Sequence, residues 1–375
     1  MVKLRSSPEE FRVDEIGGPE VSEGDFTLYR LHKRGHDTLA LLARLSNELG
    51  VRRSDWGTAG LKDRHAVTSQ LVTLPRDLGD RSGEDWSLTR LGQVPEKLRS
   101  GDHDGNRFTL VIRDVTREQV DLLPGRLDQL ERHGLPNWFD SQRFGSAVRG
   151  ELPGASVIAR DFERAMYLYL AEPSPSDRAP ARHDKRHLAD IWPELDRVGR
   201  LAHKPLIRPV SAWRRADEDP WKAAYFAIPR NLRGMWLSAW QSRRWNEALT
   251  DLFEQTFASH LLHRVSLNTG DELCYPHAPP GKQGTAKHSL IESVTSDLST
   301  LPDVLTMETQ DLSDCDGFLT AHDRTILIQP ADLQCSEPEQ DDRNGSSRNK
   351  RWKVTLAFDL LPGAYATNVV KRLFH

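Results

Sequence analysis

Apolar and polar residues alternate through residues 11–16, where Phe11, Val13 and Ile16 are interleaved with Arg12, Asp14 and Glu15, and this period predicts a half-buried strand. After a Gly24-Asp25 turn, Phe26, Leu28 and Leu31 repeat the pattern, so a hairpin is expected. Asp37 then caps a helical stripe of Leu39, Leu42, Ala43, Leu45 and Leu49 that Gly50 ends. A glycine-rich turn carries the chain from Trp56 to Asp63, and residues 71–74 and 108–112 read as further strands. Thr116 and Gln119 form a capping box for the next helix, which Pro124-Gly125 is expected to interrupt and Gly134 with Pro136 to close. Beyond Gly150 the texture changes. Residues 173–209 are rich in Pro, Arg and His, and residues 235–265 predict one or two amphipathic helices with Trp236, Trp240, Leu249, Phe253 and Phe257 as core. The polar residues 337–350 suit an exposed hairpin tip, and residues 352–358 alternate again as a strand.

A length of 375 residues favours two domains over one. With 37% hydrophobic and 28% charged residues the chain is globular, and no window approaches the roughly 18 apolar residues of a membrane helix. The first residues carry no apolar run or cleavage site for secretion, so a cytoplasmic protein is expected. Cys274, Cys315 and Cys335 are too few and too scattered for a disulfide framework. The pairs His260 with His263 and Cys274 with His277 lack the further ligands that would complete a zinc site, so no metal is expected.

Net charge is -4, so any grip on a polyanion must come from local clusters. There are two. One comprises Arg30, Lys33, Arg34, Arg44, Arg52 and Arg53; the other runs through residues 178–215, with Arg182, Lys185, Arg186, Arg200, Lys204, Arg208 and Arg214 among its basic side chains. Each reads equally as a solvated face or as an RNA footprint.

Four short islands combine glycines with polar and aromatic side chains. The first, residues 57–70, holds Gly60, Lys62, Asp63, Ala66, Thr68 and Gln70; it is not a P-loop, because Asp63 stands where Ser or Thr would follow the lysine. Lys62 and Arg64 flank Asp63 and favour its anion. Taken alone, such an aspartate is more often a salt-bridge partner than a catalyst. The second island is Gly101-Asp102-His103-Asp104-Gly105-Asn106-Arg107-Phe108, the third runs from Leu135 to Gly145, and the fourth contains Leu361-Pro362-Gly363-Ala364-Tyr365-Ala366-Thr367. An amide beside aromatics is equipment for an unstacked base, gripped by stacking on its face and hydrogen bonds on its edge.

Together these islands resemble the TruD family of pseudouridine synthases. The family's catalytic pattern GxKDxxAxTxQ is matched by Gly60, Lys62, Asp63, Ala66, Thr68 and Gln70 without interruption. Its GNxF element is met by residues 105–108, and its PNYFGxQRFG element by residues 136–145 with Trp138 and Asp140 replacing Tyr and Gly. An amino-terminal basic residue followed by PEDFxVxE corresponds to Arg5 and residues 8–15, and the closing element to residues 361–367. Family members often continue with Arg-Glu where this chain has Lys371-Arg372. The resemblance implies an α+β pseudouridine-synthase fold, a mixed, mostly antiparallel sheet with helices, interrupted by a TruD-type α/β insertion domain. The expected catalytic domain is 1–150 with 326–375, and the expected insertion is 151–325, where residues 237–242 match the family best.

The activity it implies is isomerisation of a uridine in tRNA, uridine 13 of the D-arm being the family's usual target, with no cofactor or metal. Asp63 is then the catalytic carboxylate, either attacking the anomeric carbon or removing the neighbouring ribose proton. By the same resemblance Phe108 stacks on the flipped uracil, Asn106 holds Asp63 or the base, Tyr365 closes the pocket, and Arg5, Lys62 or Glu15 order the site. The alternative is a non-catalytic RNA-binding protein of the same fold, which accounts for the basic patches and aromatics but not for the carboxylate motif. An aspartate-nucleophile hydrolase lacks the DxDx[TV] signature here. Oligomeric state is not legible.

Overall fold

The computed structural model describes residues 2–174, 177–267, 269–276, 298–307, 312, 319 and 321–375. His277 and Cys315 fall outside them. By contacts the chain forms two compact units, Met1–Leu135 with Leu327–His375, and Pro136–Ile326. The division falls at Leu135, ahead of the expected Gly150, because residues 136–150 make their bonds within the second unit: Asn246 Oδ1 accepts from Phe139 N at 2.9 Å and Arg324 Nε donates to Asn137 O at 2.8 Å.

The first unit is built on β1 (Phe11–Ile16), β2 (Phe26–Arg34), β3 (Gly57–Thr58), β4 (Val67–Leu74), β5 (Arg81–Ser82), β6 (Trp86–Val94) and β7 (Gly105–Val115). Three strands from the carboxyl-terminal segment, Ala331–Cys335, Glu339–Gly345 and Lys350–Leu360, complete a ten-stranded sheet. Its order is Ala331–Cys335, Lys350–Leu360, β7, β1, β4, β2, β6, β5, with Glu339–Gly345 also on Lys350–Leu360 and β3 on β4. Only β1 and β4 run parallel among these ladders, so the sheet is mixed and mostly antiparallel.

Helix α1 (Thr38–Leu49) starts where Asp37 accepts from Ala40 N at 2.9 Å and ends at Gly50. It buries Leu41, Leu42 and Leu45, whereas Leu39 is exposed, so the apolar stripe is rotated from the expected one. Helix α2 (Arg117–His133) has its capping box and continues through Pro124. The proline forfeits one intrahelical bond, and burial of Leu123 and Leu130 in the core offsets that loss. Those leucines pack with Phe11, Val13, Phe108, Leu110, Phe358 and Val369, the last from the carboxyl-terminal helix Ala366–Phe374. In that helix Arg372 is buried and donates to Gln129 Oε1 at 3.1 Å, which is what the departure from Arg-Glu does here.

Residues 337–350 are not simply a hairpin tip. Glu339–Gly345 is a strand, and its Asp341 is buried because Arg113 Nη1 donates to it at 2.7 Å while Arg113 Nε reaches Glu10 Oε1 at 2.9 Å.

The second unit is mainly helical among the described residues. Its longest helix, Arg230–Thr256, buries Trp236, Leu249 and Phe253 as its apolar period predicts. Two antiparallel pairs, Leu262–Ser266 with Glu272–Pro276 and Val304–Met307 with His322–Thr325, supply its strands. The Pro136 to Gly145 island belongs to this unit. Arg324 donates to Asn137 Oδ1 at 2.7 Å and lies 3.9 Å from the Phe139 ring centroid, and Trp138 is buried against Phe253 and Tyr275.

Candidate active site

Strand alternation turns Glu15 to the same face as Phe11 and Val13, so its carboxylate enters the sheet's interior. There it meets Lys62, whose Nζ lies 2.6 Å from Glu15 Oε1; the two side chains are 7% and 0% exposed. Glu15 Oε2 also accepts from Leu71 N at 2.6 Å. Gly60 leaves room for the pair, since a Cβ there would stand 3.1 Å from Lys62 Nζ and 3.3 Å from Glu15 Oε1.

The loop between Gly60 and Asp63 is clamped from three sides. Gln70 Nε2 donates to Gly60 O at 3.0 Å, and Thr38 Oγ1 accepts from Lys62 N at 3.0 Å while donating to Gln70 Oε1 at 2.9 Å. Below, Lys33 Nζ donates to the carbonyls of His36, Lys62 and Asp63 at 2.7, 3.3 and 3.0 Å. Lys33 is fully buried, and burial pushes its ammonium down to about 8. A loop so held presents Asp63 at a fixed place, with its side chain 25% exposed.

Arg5 Nη2 reaches Asp63 Oδ2 at 2.6 Å, and its guanidinium carbon stands 4.1 Å from the Phe11 ring centroid. Its backbone is left-handed at φ 61°, which costs an L-residue about 1–2 kcal/mol. The ion pair and the stacked ring oppose that strain.

Strand register brings in the next two residues. Glu15 faces Asn106 and Val13 faces Phe108 across β1 and β7, while Leu360 and Phe358 face the same two residues from the other side. Gly105 permits this close pairing, for a Cβ there would lie 2.7 Å from Leu360 O. Asn106 Oδ1 is buried without a hydrogen-bond partner among the described residues. Phe108 is 8% exposed, stacked on Phe358 at 5.6 Å and edge-on to Phe11 at 6.4 Å, so it is a core residue whatever else it does. Tyr365 follows Lys350–Leu360 and opens the carboxyl-terminal helix, with Asn368 N bonded to its carbonyl at 3.0 Å.

Thus Arg5 pairs with Asp63, Lys62 with Glu15, and Asn106 stands opposite Glu15, while Phe108 adjoins from the core through Phe11, the ring that Arg5 covers. Lys33, Thr38 and His103 belong with them; the motifs do not single out Lys33 or Thr38, whereas His103 lies within the second island with no role read from it. In the sequence Lys33 reads as part of a surface patch, although its place two residues after Leu31 on β2 sets it on the buried parity. That patch largely dissolves: Arg30 bonds Ser69 Oγ at 3.3 Å, and Arg34 pairs with Glu9 and Asp85.

Phe108→Leu separates the two roles of the ring. It keeps most of the packing, so a stability loss of about 1 kcal/mol is expected in urea titrations. A further loss of about 1–3 kcal/mol in kcat/KM would report base stacking. If kcat/KM of the folded variant is unchanged, Phe108 is core alone.

Comparisons with known proteins agree in one direction. A family model described as tRNA pseudouridine synthase D (TruD) matches residues 1–296. The Leptospira interrogans tRNA pseudouridine synthase D is 28% identical over 401 residues, covering 99% of this chain and 95% of that protein. Its counterpart of that name in Aquifex aeolicus is 27% identical over 402 residues, covering 100% and 98%. A crystal structure from Methanosarcina mazei, described under the same TruD name, superposes with a TM-score of 0.65 at 22% identity, covering 99% of this chain and 93% of that one. That likeness concerns the fold.

Proposed function

We infer, from the premise that this chain belongs to the TruD family of tRNA pseudouridine synthases, that Asp63 is the essential carboxylate with which it isomerises uridine 13 in the D-arm of tRNA. The protein is an isomerase acting on uridine in tRNA. The observation that carries the assignment to Asp63 is its setting: a partly exposed carboxylate, ion-paired to Arg5, on a loop clamped by Lys33, Thr38 and Gln70.

In the reaction the bond from C1′ to N1 breaks, the uracil turns within the pocket, a bond from C1′ to C5 forms, and the C5 proton is lost while N1 ends protonated. No atom is added. Asp63 serves by attacking C1′ or by taking the neighbouring ribose proton, and both routes use its negative charge. Arg5 orients the carboxylate, and the Glu15–Lys62 pair holds the backbone from which it projects. Pseudouridine mapping in tRNA from cells with and without the gene tests the reading. Loss of the modification at position 13 is expected, and an unchanged map would overturn the proposed target.

Recognition of the rest of the tRNA we assign to the second unit. Among residues 178–215 the structure removes Lys185, buried and 2.9 Å from Asp177, from the free charges. Arg186, Arg200, Lys204 and Arg208 stay exposed. Replacing those four by Gln is expected to weaken tRNA binding and to flatten its log-log salt dependence by roughly 0.7–0.9 for each phosphate that is no longer neutralised. Titrations at several salt concentrations measure this, and an unchanged slope would move the binding surface elsewhere.

A further inference from the structure

The loop preceding β7 carries a histidine that the mechanism above leaves unused. Two main-chain bonds fix this loop against the site: Gly101 N donates to Ala59 O at 2.8 Å, and Asp104 N donates to Ile16 O at 2.9 Å. Between them His103 is set beside the Glu15–Lys62 pair, its Cε1 3.6 Å from where a Gly60 Cβ would stand. His103 Nε2 lies 3.4 Å from Asn106 Nδ2.

An amide nitrogen can only donate, so in this contact Nε2 accepts and the ring proton sits on Nδ1, which is itself buried without a partner among the described residues. The contact therefore couples the tautomer of the ring to the orientation of the amide. With Nδ2 engaged by His103, the other end of the amide is Asn106 Oδ1, the acceptor that is buried without a partner among the described residues. The chemistry that satisfies a buried acceptor opposite Glu15, on the strand next to the Glu15–Lys62 pair, is a donor on the substrate. Uracil offers one at N3–H between its two carbonyls; cytosine presents an acceptor at that position.

We propose that His103 is a positioning residue for the isomerisation: by accepting from Asn106 Nδ2 it turns Asn106 Oδ1 toward the captured base, where it accepts from uracil N3–H. The proposal rests on the reading that this chain isomerises uridine, and adds to it the group that selects the base edge. A protonated or Nε2–H histidine would present a donor to Asn106 instead. The amide would then turn over and offer its NH2 to the base, losing the match to N3–H. Burial lowers the His103 pKa from its ordinary value and keeps the ring neutral near pH 7. Around it Glu15 from β1 and Asp102 and Asp104 from its own loop pull the other way, while Lys62 from the motif loop acts with burial.

The test compares wild type, His103→Leu and His103→Gln by release of tritium from uracil C5 in tRNA, from about pH 5 to pH 8. Leucine fills the space but cannot accept, so kcat/KM at pH 7 is expected to fall about tenfold, the scale of one lost orienting hydrogen bond. Glutamine can accept through Oε1 and is expected to stay within about threefold of wild type. Wild-type activity should fall as pH drops through the His103 pKa, and the glutamine variant should lack that limb. A leucine variant as active as wild type overturns the proposal. So does a glutamine variant as impaired as leucine that keeps the acid limb. No tritium release by the wild-type protein would instead overturn the parent reading, and the proposal with it.

Discussion

Asp63→Asn is expected to fold and bind tRNA but to form no product, a loss on the order of 10⁴-fold or more, the scale seen when an enzyme loses the group its chemistry depends on. The substitution keeps the shape of the side chain and a possible hydrogen bond from Arg5, now 2.6 Å from Asp63 Oδ2, while removing the charge that either chemical route requires. Because both partners are partly exposed, the pair adds little to stability, and the melting temperature should move by no more than a few degrees. Single-turnover release of tritium from uracil C5 measures the chemistry directly, since that isotope leaves when C5 becomes bonded to the sugar. Appreciable release by the folded variant would remove Asp63 from the mechanism.

Lys62→Met should behave in the opposite way, losing stability as well as activity. It leaves the Glu15 carboxylate, 0% exposed, without its cation, and stranding one member of a buried pair costs about 3–5 kcal/mol. Adding Glu15→Leu removes the stranded charge, so the double variant should recover much of the loss. It should still lack about 1–3 kcal/mol, because Leu71 N–H, now bonded at 2.6 Å, is left without an acceptor. Urea unfolding of the two single variants and the double gives the coupling. A Lys62→Met protein as stable as wild type would show that the pair contributes nothing to the fold. Activity is not expected to return in the double variant, since Lys62 fixes the backbone beside Asp63.

What the sequence makes legible is whatever depends on near neighbours. Alternation places Glu15 on the buried face, and capping residues set the starts of both α1 and α2. Resemblance to a family supplies the expected roles of Asn106, Phe108 and Tyr365, which periodicity alone does not distinguish from turns and core. What escapes depends on partners distant in the chain. Lys33 reads as one more surface cation until the carbonyls of Lys62 and Asp63 close over it, and Asp341 reads as a loop acid until Arg113 draws it inside. Pro124 reads as a helix breaker, but its local cost is overridden by leucines that pack on the sheet. His103 lies within the Gly101 to Phe108 island, but only the strand register that seats Asn106 opposite Glu15 gives the histidine something to hold.

The strand Lys350–Leu360 pairs along β7 and seats Phe358 against Phe108, yet the entire second unit lies between them in the chain. At the usual pace of translation, the ribosome needs roughly ten to forty seconds to make that intervening stretch. Throughout that interval β7 has been made but its neighbour has not, so one row of its amides and the aromatic face of the nascent first unit wait uncovered. A bare strand edge of this kind is a template for pairing with other chains. Completion of the first unit is thus a late event in synthesis, made by the strands and helix that follow the second unit in the chain.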